Sequence, residues 1–351
     1  MKSFNNQIKG ENLFVGIDLH KHRWHITIRT ADVEIFSNSI VGRWDNLRRI
    51  LDRYKGCRIH AVYEAGCFGF WLFDRLNNYG ACCIVTPPSL IPQEHGNRVT
   101  TDRRDSRKLA RLLAKELLKC VWVPSEEERF HRQVIRRRHQ LVGDRVRTQN
   151  RIKSELYFYG IDLPAVRGKW SQVYFTNLQR IKFKNNWMQQ SFNQLLEQYE
   201  FLCAQIAKQT QLLKQLSRLP LYRDRVRILC SVPGIGIYTA MEILLELQDI
   251  SRFRRAEQLA AYVRLTPSQY SSADKIRMGR ITGMGKNTLR SALVESCWHL
   301  IRKDKAMRRK YEQIKARAGG KRAIVAVSRK LILCIRRLLL ENRPYVYKPV
   351  C

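Results

Sequence analysis

Acidic side chains are scarce in this sequence. The chain has 30 Asp and Glu against 65 Lys and Arg, a formal charge of +35 over 351 residues. That excess is too large for an ordinary soluble enzyme and implies a polyanionic partner. It is spread along the chain, at +8 over residues 1–124, +9 over 125–220 and +18 over 221–351, which excludes a basic tail or a targeting peptide as its source. Long apolar runs are also missing. No stretch of 18 apolar residues exists, and the opening MKSFNNQIKG lacks the apolar centre of a secretion signal. No basic amphipathic helix stands apart from the core, so no membrane partner is expected. Ten cysteines are present, but none forms a Cys-x-x-Cys pair, and most lie in apolar runs such as ACCIV and LILCI. They read as buried free thiols in a reducing compartment, which makes a bacterial or archaeal cytoplasm the expected location. His20, His22 and His25 cluster, but no cysteine or acidic pair completes a zinc ligand set at the usual spacing. Repeats and low-complexity segments are absent.

With 44% hydrophobic residues the chain is globular. Residues 1–124 predict an α/β domain. LFVGIDL (13–19) alternates, with Leu13, Val15, Ile17 and Leu19 on one face and Phe14, Gly16 and Asp18 on the other. WHITIRT (24–30) and VEIFSNSI (33–40) follow after short turns and predict an antiparallel meander. A helix at 43–54, a strand at 58–64, a second helix ending at Gly80, an apolar strand at 81–88 and a third helix from about 102 complete the order. The strand at 81–88 is apolar throughout, as burial on both faces requires.

Residues 125–220 predict long basic helices. Leu195, Tyr199, Leu202, Ile206, Gln209, Leu213 and Leu216 follow a 4,3 spacing over three heptads. Such a coiled-coil seam serves either a helix hairpin within one chain or a dimer interface. Residues 221–351 predict an all-α domain. In LCSVPGIGIYTAMEILLEL, Pro233-Gly234-Ile235-Gly236 separates two apolar helices and resembles a helix-hairpin-helix turn. Gly234 and Gly236 there either let backbone N–H groups approach a phosphate or simply make a tight turn.

Against the basic background, four acids are placed with a pattern. Asp18 lies near the end of the first strand, Glu64 ends the fourth, and Asp102 and Asp105 open the helix after the fifth. If strands one and four are neighbours, their ends meet beside that helix. Its i and i+3 positions project to nearly the same side. Four carboxylates in one small volume repel by several kcal/mol unless compensated. Hard divalent cations, Mg²⁺ or Mn²⁺, neutralise oxygen-only clusters of this kind and activate oxygen nucleophiles in phosphodiester chemistry. The competing structural explanation is that the helix dipole favours acids in a first turn and that the adjacent Arg103, Arg104 and Arg107 pair with them.

The order of elements, with GIDLHK, YEAG and TDRRDSRKLA, resembles the RuvC-like, Holliday-junction-resolvase branch of the RNase H fold. More narrowly it is similar to the DEDD transposases of bacterial insertion sequences, the bridge-RNA-guided recombinases, a family that includes pilin-gene DNA invertases. The resemblance covers nearly the whole chain. It implies an RNase H-like catalytic domain (1–124), a coiled-coil domain for dimerisation and RNA contact (125–220) and a transposase domain carrying a serine nucleophile (221–351). It implies that Asp18, Glu64, Asp102 and Asp105 bind Mg²⁺ or Mn²⁺.

The family's nucleophilic serine lies five positions after the proline of its Leu-Thr-Pro turn, which makes it Ser272 here. Ser271 precedes it, and Ala273 replaces the family's usual glycine. Arg277, Arg280, Lys286 and Arg290 follow as candidate phosphate contacts. The resemblance further implies a phosphoserine link to DNA, strand exchange between donor and target duplexes in a homodimer or homotetramer, and a structured noncoding guide RNA that selects both. Aromatics interleaved with basic residues, such as Trp170, Tyr174, Phe175 and Trp187 near Arg180, Lys182 and Lys184, suit stacking on unpaired bases or core packing equally. Competing functions are a metal-dependent junction-type nuclease that uses water, an invertase without RNA, and a non-catalytic nucleic-acid scaffold.

Overall fold

A computed structural model describes residues 9–93, 101–166, 168–272, 275–283, 285 and 287–349. The chain divides into two compact units, 1–124 and 125–351.

The first unit is built on a five-stranded sheet of β1 (Asn12–Leu19), β2 (Arg23–Arg29), β3 (Glu34–Val41), β4 (Arg58–Glu64) and β5 (Cys82–Thr86), in the order β3-β2-β1-β4-β5. β1, β2 and β3 pair antiparallel, whereas β4 runs parallel to both β1 and β5. Period-two alternation sorts the two faces. Leu13, Val15 and Ile17 of β1, Ile59, Ala61 and Tyr63 of β4, and Ile26 and Ile28 of β2 pack with Leu47, Ile50 and Leu51 of α1 (Trp44–Leu51) and Leu72 and Leu76 of α2 (Trp71–Asn78). The opposite face, bearing Gly16 and Thr27, receives α3 (Asp102–Ala114), whose Leu109 and Leu112 pack on Val62 and Ile91. β5 lies at an edge, and its Cys82 is exposed, so this strand is not buried on both sides.

In the second unit, α4 (Glu126–Phe158) begins at a capping box formed by Ser125 and Glu128. Its Leu141 packs with Leu202 and Ile206 of α6 (Asn186–Leu216), and its Ile152 and Leu156 with Phe192, Leu196 and Tyr199. The heptad seam is therefore covered by α4 of the same chain. α5 (Gln172–Gln179) completes this cluster, with Tyr174 and Phe175 buried in it, while Trp187 is 79% exposed. Tyr174 and Phe175 are thus core residues and offer no surface to a base.

The largest core surrounds α8 (Ile237–Leu247) and includes residues of α7 (Pro220–Cys230), α9 (Ala256–Tyr262), α10 (Asn287–Lys303), α11 (Lys305–Ala318) and α12 (Gly320–Glu341). The region after residue 221 is not all-α. β6 (Pro267–Ser272) and β7 (Lys275–Ile281) form an antiparallel hairpin. Its ladder satisfies backbone groups of a segment with little apolar surface to bury, and Tyr270 is 72% exposed. The sequence there lacks the alternation that marks a half-buried strand. The nine described cysteines are free, but only Cys83 and Cys297 among them are buried, because many border apolar runs at strand edges and helix ends.

Candidate metal centre and nucleic-acid interface

Asp18 and Glu64 sit on the α3 face of the sheet because they are in phase with Gly16 on β1 and Val62 on β4. Pairing of β1 with β4 sets their strand ends side by side. The approach of α3 depends on an absent side chain. A Cβ at Gly16 would lie 2.1 Å from the Ser106 carbonyl oxygen and 2.6 Å from the Ala110 nitrogen, so the helix backbone rests directly on β1. The Thr27 and Ser106 hydroxyls, both buried, are 2.9 Å apart and lock the same seam, and Thr27 Oγ1 is 3.0 Å from Ser37 Oγ. Thr101 caps α3, its Oγ1 accepting from the Arg104 N–H at 3.3 Å. This places Asp102 and Asp105 in the first turn, where the dipole favours acids.

The arrangement draws the acids together. Burial and the charges of Asp102 and Asp105 push the Asp18 carboxyl above its usual range, opposed by His20. Burial, Asp18 and Asp105 likewise raise Glu64, opposed by Lys108. Asp18 and Asp105 are thus the shared neighbours, whereas Asp102 lies on the Asp18 side. His20 Nε2 is 3.2 Å from Asp18 Oδ2 and 3.5 Å from Asp102 Oδ1. One ligand atom each from Asp18, His20 and Asp102 falls within 4.8 Å of the others. The histidine reading from sequence missed this. The signal was its i+2 position from Asp18, together with an acid that arrives from a helix more than 80 residues away. Carboxylate and imidazole donors this close suit a divalent cation.

Beside Glu64 and Asp105 opens a cavity of about 730 Å³ lined by Arg29, Arg104, Arg107, Lys108 and Arg111, with Thr27, Glu34, Pro88 and Ile91 among its other walls. Its basic groups are not all available. Arg107 pairs with Glu34, and Arg29 donates to the carbonyls of Thr30, Ala31 and Asp32. Arg103 is exposed in the same first turn.

In the second unit, the backbone of Ser272 pairs with Lys275 and that of Ser271 with Ile276 at the end of the hairpin. Arg277 pairs with Tyr270 and is exposed, as is Arg280, whose carbonyl accepts from Ser268 Oγ at 3.1 Å. Arg290 is half-buried on α10, and Lys286 lies outside the described residues. Gly234 has φ +90°, and a Cβ there would meet the Ser296 carbonyl at 2.4 Å, so packing against α10 already demands glycine. Gly236 caps α8, and a Cβ there would meet open space.

Two family models match the chain. A DEDD transposase model of the IS110 type matches residues 15–161, and one described as "Transposase IS116/IS110/IS902 family" matches 226–312. The chain belongs to the IS110 family of transposases. Similar proteins include a putative transposase, y4qE, of Sinorhizobium fredii, 28% identical over 81% of this chain and 71% of the relative. The transposase for insertion sequence element IS1533 of Leptospira borgpetersenii is 28% identical over 68% and 70%. A pilin gene-inverting protein of Moraxella lacunata is 24% identical over 95% and 97%. This IS110-family transposase is accordingly a DNA strand-cleaving and rejoining enzyme, and DEDD transposase domains of its kind are generally divalent-metal dependent.

Proposed function

We propose that this transposase cuts and rejoins donor and target DNA through a phosphoserine intermediate, with Asp18, Glu64, Asp102 and Asp105 holding Mg²⁺ or Mn²⁺. The observation that carries the reading is the gathering of carboxylates from β1, β4 and α3 on one sheet face, close enough to raise Asp18 and Glu64. Held by these carboxylates, a divalent cation would supply charge neutralisation at the scissile phosphate and would lower the pKa of an oxygen nucleophile. His20, between Asp18 and Asp102, orients both.

The Ser272 hydroxyl attacks phosphorus, an Oγ–P bond forms, and one bridging deoxyribose oxygen leaves with a proton. The hydroxyl of the exchanging strand then attacks the phosphoserine, and the proton returns to Ser272. The two transesterifications conserve phosphodiester number, so no external energy source enters. Arg277, Arg280, Lys286 and Arg290 follow Ser272 closely and neutralise the phosphate. Arg103 and Arg104 do the same beside the carboxylates, Arg107 does so on exchanging Glu34 for the phosphate, and Gly234 and Gly236 mark a backbone approach to DNA.

The three parts 1–124, 125–220 and 221–351 serve catalysis, assembly with RNA contact, and the nucleophile. Basic charge on every part suits a homodimer or homotetramer that wraps two duplexes and a structured guide RNA, with base pairing choosing the sequence. Asp105→Asn tests the metal reading. Strand cleavage falls about a thousandfold while DNA binding persists, and full cleavage by the variant would defeat it. An RNA-free preparation that is fully active would defeat guidance.

A further inference from the structure

We infer that the second unit carries a separate binding site for the phosphate backbone of duplex DNA, between the turn after α7 and the C-terminal end of α10. The inference rests on the reading of the chain as a DNA-acting enzyme, and it extends the approach to DNA proposed for Gly234 to His299, Arg302, Lys303 and Tyr347, which the catalytic scheme does not use. A cavity of about 540 Å³ opens there, lined by the turn Cys230–Ile235, by His299, Arg302 and Lys303 of α10, and by Tyr347. Among the described residues no carboxylate lines it.

The surrounding charge is one-sided. Six of the nine residues from 302 to 310 are Arg or Lys, and the only acid is Asp304. Asp304 is 2% exposed and already engaged. Its Oδ1 caps α11 by accepting from the Ala306 and Met307 N–H groups, and its other oxygen accepts from the Tyr345 hydroxyl. It therefore offers little to the cations around it, and none of Arg302, Lys303, Lys305, Arg308, Arg309 and Lys310 has an ion-pair partner among the described residues.

Helix dipoles do not account for the cluster. Arg302 and Lys303 in the last turn of α10 are favoured, but Lys305 and Arg308 open α11, where cations are disfavoured and the one acid, the cap Asp304, is already engaged. Cations kept in an unfavourable position with no ion-pair partner among the described residues point to an external anion.

The cavity is also preformed. The Tyr345 N–H donates to Ser231 Oγ at 2.7 Å, and the Lys305 N–H donates to the Lys348 carbonyl at 3.0 Å, which fastens the C-terminal segment beside the turn. Tyr347 stacks on Tyr345 with ring centroids 6.0 Å apart and becomes a wall. Gly234 lets the turn seat against Ser296 and His299. Among the described residues the lining holds only two aromatic rings, Tyr347 and the His299 imidazole, too few for a row on which successive bases would stack. This favours duplex backbone over single-stranded RNA.

The test is the salt dependence of binding by the full chain, without divalent metal, to a duplex of unrelated sequence and to a single-stranded RNA. The variants are Arg302→Gln with Lys303→Gln, Tyr347→Ala, and a control pair on α6, Lys208→Gln with Lys214→Gln. Each lost phosphate contact lowers the slope of log K against log salt by about 0.9 for duplex DNA. The double variant at 302 and 303 therefore loses about 2 from the slope and binds duplex on the order of tenfold more weakly per contact near 0.1 M salt. Tyr347→Ala weakens duplex binding without changing the slope, and the α6 pair changes neither. An unchanged duplex slope at 302 and 303, a loss equal to that of the α6 pair, or a loss seen only with RNA would overturn the inference. Because the assay needs no metal and no cleavage, its failure leaves the catalytic reading standing, and that reading is tested separately by Asp105→Asn and Ser272→Ala.

Discussion

Replacing Gly16 with alanine adds one methyl group where the structure has no room for it. The new Cβ would lie 2.1 Å from the Ser106 carbonyl oxygen and 2.6 Å from the Ala110 nitrogen. Both atoms belong to helix backbone, so no side chain can swing aside. Restoring ordinary contact, at roughly 3.4 Å, moves α3 away from β1 by about 1 Å, and overpacking of this kind costs about 1–3 kcal/mol of stability. The functional loss is larger than the stability loss implies. Asp102 and Asp105 ride on the displaced helix while Asp18 and Glu64 stay on the sheet, and a misplacement of about 1 Å in a catalytic constellation slows reaction about a hundredfold. Urea unfolding and single-turnover strand cleavage on the same preparation separate the two effects. The expected pattern is a folded variant with a modestly lowered midpoint and a disproportionate fall in cleavage. Cleavage at the wild-type rate in a folded Gly16→Ala protein would show that the spacing of α3 from β1 does not set the site.

Thr27→Val removes the buried hydroxyl that meets Ser106 and Ser37 and lowers stability by about 1–3 kcal/mol in urea melts, whereas the exposed Lys55→Ala changes almost nothing. His20→Ala weakens divalent-metal binding by about 10- to 100-fold, measured by calorimetry, because Asp18 and Asp102 lose the group that orients them. Burial and the neighbouring Glu246 carboxylate push Glu242 up to about 7 from 4.5. Between those values the folded chain holds a proton that the unfolded chain has lost, so this group's stabilisation is fully present below about 4.5 and is lost as pH rises through 7, by at most about 3 kcal/mol. His139, 3.3 Å away, is lowered chiefly by burial and acts in the opposite sense, gaining stability as pH rises toward 6.5. Subtracting Glu242→Gln from wild type isolates the carboxylate: the wild-type advantage shrinks between pH 5 and 7.5, and a constant difference would refute the assignment.

The sheet and its two faces were legible because a half-buried strand writes its period into the sequence. Val15 and Ile17 alternate with Gly16 and Asp18, and the structure puts the first pair in the core and the second under α3. The apolar spacing of Leu109 and Leu112 likewise located α3. Less could be read where no burial pattern exists. The β6–β7 hairpin is held by backbone pairing around exposed Tyr270 and Arg277, so no periodicity announced it. His20 gains its meaning from Asp102, which only the fold brings near. The 4,3 seam of α6 showed that a partner helix was needed but not which one, and α4 of the same chain fills that place. For Tyr174 and Phe175 the sequence left stacking on bases and core packing equally open, because basic residues surround them, and the fold decides for the core, where they close the α4–α6 cluster. Gly234 illustrates a further limit, since a tight approach to DNA and a tight approach to α10 demand the same residue.

The central claim is the bond between this protein and DNA, and trapping the intermediate tests it most directly. Wild-type protein incubated with its DNA and Mg²⁺ or Mn²⁺, then denatured and digested, should yield a nucleotide-linked peptide spanning 268–275, with the phosphate on Ser272. Ser272→Ala should give neither adduct nor recombinant DNA, whereas Ser271→Ala should give both. Cleaved DNA without any adduct, or an adduct that survives in Ser272→Ala, would contradict the account.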